Sequence, residues 1–64
     1  MITNKKAWGS FENENEIFPY GISYAIANIV NEFNLDKKSA EAKLKRATIN
    51  KPIKFENGFS VWLE

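Results

Sequence analysis

Seven basic side chains fall within residues 37–54 of this 64-residue chain: Lys37, Lys38, Lys43, Lys45, Arg46, Lys51 and Lys54, with Glu41 the single acid among them. Ammonium and guanidinium groups at that density neutralise phosphates, and where they reach a base edge they bond guanine O6 and N7. A carboxylate such as Glu41 accepts a bond from the cytosine amino group. Residues 7–36 are the reverse, with no base and five acids: Glu12, Glu14, Glu16, Glu32 and Asp36. The net charge is only +1, yet a segment of net −5 runs into one of net +6. Such separation steers a charged partner and raises its on-rate.

Other chemistry is scarce. The chain has no Cys and no His, which removes disulfides, thiolate nucleophiles, Cys/His zinc sites and imidazole acid–base work. Its only glycines are Gly9, Gly21 and Gly58, so no glycine-rich phosphate loop is present. Glu12, Glu14 and Glu16 alternate, so an extended segment would show them on one face, as an acidic contact strip more than a metal site. The expectation is a protein without enzymatic activity, cofactor or metal. No apolar run approaches the roughly 20 residues that span a bilayer, and the N-terminus lacks the pattern of a signal peptide. A cytoplasmic location is expected.

The elements that must position the charges follow from periodicity. Residues 1–64 make a single small domain, in which the nine aromatic residues are expected to build most of the core. Ile22, Ala25, Ile26, Ile29, Val30 and Phe33 recur at helical spacing and predict a first helix over about 21–34. Asn34 suits a left-handed terminator. Asp36, with Ser39 competing, suits the N-cap of a second helix over about 37–47, whose apolar stripe is Ala40, Leu44 and Ala47. A β-hairpin over about 52–63 follows. Only a three-residue loop, Glu56-Asn57-Gly58, pairs Phe55 with Phe59 and Ile53 with Val61 and keeps the apolar side chains on one face, which predicts a G1 bulge at Gly58. Residues 1–7 read as a soft start and Glu12–Glu16 as a solvated loop. The expected fold is α+β, two packed helices followed by a C-terminal β-hairpin, with a short strand near Trp8–Phe11 as a possible addition.

The stretch Ile26-Ala27-Asn28-Ile29-Val30-Asn31-Glu32-Phe33-Asn34-Leu35-Asp36-Lys37-Lys38-Ser39-Ala40 resembles the general pattern of the winged helix-turn-helix family: apolar helix, turn, polar cap, second helix. With the hairpin as wing, the resemblance covers about residues 22–62. It departs from the pattern at Asn34, where a glycine is usual, and at Lys43, which stands where a buried residue is expected. The resemblance implies a second helix in the major groove, with Lys37, Lys38, Glu41 and Lys45 toward the bases. Lys43, Arg46, Lys51 and Lys54 would then touch phosphates, Glu56-Asn57-Gly58 would form the wing tip, and Trp62 would stack or fill a gap. Glu56 opposes a phosphate contact there. The function so implied is a small DNA-binding protein, a transcriptional regulator or recombination accessory factor, acting on duplex DNA as a homodimer or cooperative assembly. The alternative is a protein-interaction module that inhibits or regulates a larger enzyme, contacted through Glu12, Glu14, Glu16 and exposed aromatics.

Overall fold

The first elements of the described residues are the two strands of a β-hairpin, and the earlier of the two falls where a short strand was expected, near Trp8–Phe11. In the computed structural model, which describes residues 5–64, the order is β1 (Ala7–Phe11), β2 (Ile17–Tyr20), α1 (Ile22–Phe33), α2 (Lys37–Arg46), β3 (Ile53–Lys54) and β4 (Phe59–Leu63). The strands form one antiparallel sheet in the order β2-β1-β4-β3. The expected architecture of two helices followed by a C-terminal hairpin, and with it the winged helix-turn-helix-like arrangement, is thereby overturned. The C-terminal strands are half of a four-stranded sheet, and β4 pairs along its whole length with β1. The physical reason is that a lone hairpin is marginal in water and leaves two open edges, whereas insertion of β1 beside β4 satisfies one of them. The segment 17–20, expected as an irregular or extended piece, is an edge strand, and Pro19 is tolerated there because an edge can spare a donor. The soft start falls partly on residues 1–4, outside the described residues.

Both helices cover the same sheet face. From α1 come Ala25, Ile26 and Ile29, from α2 Ala40 and Leu44, and from the sheet Ala7, Ile53, Phe59, Val61 and Leu63, all buried in one cluster with Ala47. Ile29, Leu44 and Val61 are the largest side chains fully enclosed. Apolar spacing at i, i+3 and i+4 puts Ala25, Ile26 and Ile29 on the covered side of α1. The helix ends because Asn34 adopts the left-handed conformation (φ 55°), which lets its N–H and that of Leu35 turn back to the Val30 carbonyl. Asp36 stands at the N-cap of α2, although no side-chain hydrogen bond closes the cap.

Two turns fix the C-terminal half. Thr48 and Lys51 bond reciprocally through their backbones, and the Thr48 hydroxyl accepts a third bond from the Lys51 N–H at 3.2 Å. At the hairpin tip, Phe55 N–H donates to the Phe59 carbonyl at 2.7 Å and Gly58 has φ 89°, with Ile53 opposite Val61. This is the three-residue loop with a left-handed glycine that alternation demands. No helix among the described residues is long and apolar enough to cross a membrane.

Candidate nucleic-acid interface

Helical phase sorts the bases of α2. Ala40 and Leu44 face the sheet, so Lys38, Lys45 and Arg46 project to solvent while Lys43 lies half-buried on one flank. On that flank, the Thr48–Lys51 turn swings the chain back and Pro52 carries it into β3. The result is a groove of about 580 Å³ between α2 and β3. Its walls carry Lys43 and Arg46 from the helix, Lys51 from the turn and Lys54 from the strand, and none of its lining residues is acidic. Phe33, Leu35 and Pro52 supply apolar floor. The Lys43 ammonium sits 4.7 Å from the centre of the Phe33 ring, a cation–π contact that orients the amine without neutralising it.

Four of the nine sequence-derived site residues therefore share one channel: Lys43, Arg46, Lys51 and Lys54. The others lie elsewhere. Lys37 and Glu41 flank an apolar depression between α1 and α2, beside Ile22, Ile26 and Val30. Lys38 stays on the solvent face of α2. Lys45 reaches toward the opposite side of the sheet, where it lines a depression with Lys5, Trp8 and Trp62. Trp62 is only 6% exposed and lies away from the cationic groove. Its register opposite Trp8 puts it on the helix-free sheet face, where Thr48 and Ile49 adjoin it.

The hairpin tip lies outside this basic surface. Glu56 N–H donates to Glu32 Oε2 at 3.0 Å, and Glu12 N–H donates to the Gly58 carbonyl at 2.9 Å. These bonds bind the tip to the C-terminal end of α1 and to the acidic β1–β2 loop. Sequence reasoning missed that association, because it depends on β1 pairing with β4, a contact between the two ends of the chain. It also missed the helix-free sheet face, where Ile17 and Ile49 are 54% and 60% exposed.

Asp36 has a displaced pKa. The nearby Ser39 hydroxyl, with smaller help from backbone N–H groups at the start of α2, holds its carboxyl below the usual carboxylate range, although no cap hydrogen bond closes. Among the described residues, no three carboxylates converge as metal ligands. No protein-family model, curated protein or solved structure matches the chain significantly.

Proposed function

We propose that the protein binds duplex DNA through its phosphates, which lie along the groove between α2 and β3. The single observation that carries this reading is the groove itself: four cations from three separate pieces of chain line one channel with no acid among them. Phosphate contacts of this kind position a protein on nucleic acid without reading its sequence. A duplex fits better than a single strand, because single strands are held largely by stacking on aromatic faces. The one aromatic ring in the groove, Phe33, is already covered by Lys43.

Lys38, on the solvent face of α2, extends the positive surface beyond the channel. With four phosphates in reach, one copy binds weakly, so useful affinity calls for several copies acting together, in the manner of an accessory factor or regulator. The test is fluorescence anisotropy with labelled random-sequence duplex and single strand at two salt concentrations. Steep salt dependence that favours the duplex supports the proposal, and absence of binding at low salt refutes it.

A second reading rests on a different observation. The helix-free sheet face exposes Ile17 and Ile49 beside Trp8, an apolar surface suited to a protein partner. Association through that face would be nearly insensitive to salt, which separates it from phosphate binding.

A further inference from the structure

The end of the molecule that carries the acids also holds an aromatic pocket. Phe59 stands at its centre, with ring centroids of Phe11 and Tyr20 at 5.0 Å, Phe55 at 5.6 Å and Phe18 at 6.0 Å. Gly9 makes this possible: a Cβ there would lie 2.8 Å from the Phe59 ring and 3.1 Å from that of Phe18. The five rings line a depression of about 380 Å³ closed on its other side by α1. Phe11, 39% exposed, stands at its mouth. Asn28 donates to the Tyr20 hydroxyl, which fixes that wall.

The polar members of the pocket are amides and one carboxylate, Glu32, and no Lys or Arg lines it. The Glu32 Oε2 accepts the Glu56 N–H, and a carboxylate has acceptor sites to spare. Glu12 lies against Gly58 at the rim, so its negative charge adds to those of Glu32 and Glu56. Aromatic faces carry negative quadrupole charge, and carboxylates at the rim reinforce it. A small metal ion needs several converging oxygens, which this cluster does not supply. A weakly hydrated cation of larger size suits both the rings and the rim. A cation already stands over a ring next door: Lys43 covers Phe33, whose ring meets Phe55 edge-on at 6.0 Å.

We propose that this pocket binds the head of an organic cation, a guanidinium or an alkylated ammonium, with Phe11, Tyr20 and Phe59 as its aromatic wall and Glu32 as its counter-charge. The site is separate from the basic groove and does not depend on DNA binding. The test is a two-dimensional amide NMR titration of the full chain with methylguanidinium chloride and with tetramethylammonium chloride. Sodium chloride at equal ionic strength and tert-butanol, a neutral and soluble molecule close to tetramethylammonium in size and shape, are the controls. The expected result is saturable shifts at Phe11, Phe18, Asn31 and Phe59 with a cation and not with the controls. Phe11→Leu, which keeps apolar volume but removes a ring, should weaken binding about fivefold. Glu32→Gln should weaken it by a similar factor, and Glu12→Gln gives a second charge variant that disturbs no buried group. Well-dispersed spectra of each variant establish that it is folded. Tighter saturation by methylguanidinium assigns the ligand as an arginine head, and tighter saturation by tetramethylammonium as an alkylated ammonium. Shifts that stay linear with both cations, equal binding of tert-butanol, or unchanged affinity in folded Phe11→Leu overturn the proposal.

Discussion

Neutralising the two cations of the helical wall should halve the salt dependence of DNA binding. On duplex DNA, log affinity falls by about 0.9 per decade of salt for each phosphate neutralised. If Lys43, Arg46, Lys51 and Lys54 each meet one phosphate, the slope is about −3.6, and binding weakens roughly 150-fold between about 50 and 200 mM salt. Replacing Lys43 and Arg46 by Gln leaves two phosphates, a slope of about −1.8 and only a roughly 12-fold loss over the same range. Anisotropy with a labelled duplex at four or five salt concentrations measures the slope directly. Lys43→Gln also removes the contact with Phe33, worth about 0.5–1 kcal/mol at an exposed site, so circular dichroism must show the variant folded at the assay temperature. Lys37→Gln is the comparison, since Lys37 lies beside α1, away from the groove. A double variant with an unchanged slope, or a Lys37→Gln slope reduced as much as the groove variants', refutes the assignment of phosphates to this channel.

Three further outcomes test the framework that holds the groove. Leu44→Ala empties a fully buried site at a cost of about 2–5 kcal/mol; a core this small supplies roughly 3–5 kcal/mol in all, so the variant should be largely unfolded by circular dichroism at 25 °C. Gly9→Ala forces a methyl to 2.8 Å from the buried Phe59 ring and should destabilise by about 1–3 kcal/mol in urea titration; unchanged stability would show that the rings move aside freely. Because the Asp36 carboxyl is held below its ordinary range, its contribution is present above about pH 4 and lost as pH falls below that value. The urea midpoint of Asp36→Asn relative to the native chain should therefore rise on acidification, and a constant difference from pH 6 to about pH 2.5 would remove Asp36 as a source of acid sensitivity.

The helices are written locally in the sequence, and the sheet is not. Ala25, Ile26 and Ile29 repeat at helical spacing and are buried, whereas Phe33 at the end of the same stripe is exposed, so spacing gives the face and packing decides its extent. The hairpin register is equally local, because only one loop length puts Phe55, Phe59 and Val61 on one face. Strand β1 defeats the same logic. Its covered positions are Ala7 and Gly9, the smallest residues available, while the large Trp8 lies on the helix-free face. Rings from Phe18 and Phe59 fill the space above Gly9, so apolar bulk comes from neighbouring strands and alternation within β1 reads inverted. In β2, four residues interrupted by Pro19 leave too short a pattern to recognise. The basic segment was legible as a charge run, but its division was not. Which bases meet in one groove depends on the phase of α2 and on the Thr48–Lys51 turn, and these send Lys37 and Lys43 to opposite flanks.

Charge that alternates by segment along the chain becomes charge that differs by region in space. The acidic β1–β2 loop is carried to the β3–β4 tip by the pairing of β1 with β4, and the Glu12 N–H bond to Gly58 fastens the two. Glu56 then adds to the acidic end by bonding to Glu32. A polyanion approaching the groove therefore meets Lys51 and Lys54 at the base of the hairpin, while repulsion from Glu12, Glu32 and Glu56 disfavours contact with its tip. That polarity argues against the hairpin as a DNA-contacting wing and for a ligand lying along α2 and β3. The Phe33–Phe55 contact stands between the two regions, with the cationic groove on one side and the aromatic pocket on the other. If both proposals hold, a polyanion in the groove and a cation in the pocket would sit on opposite sides of these two rings, and neither would compete for the other's site.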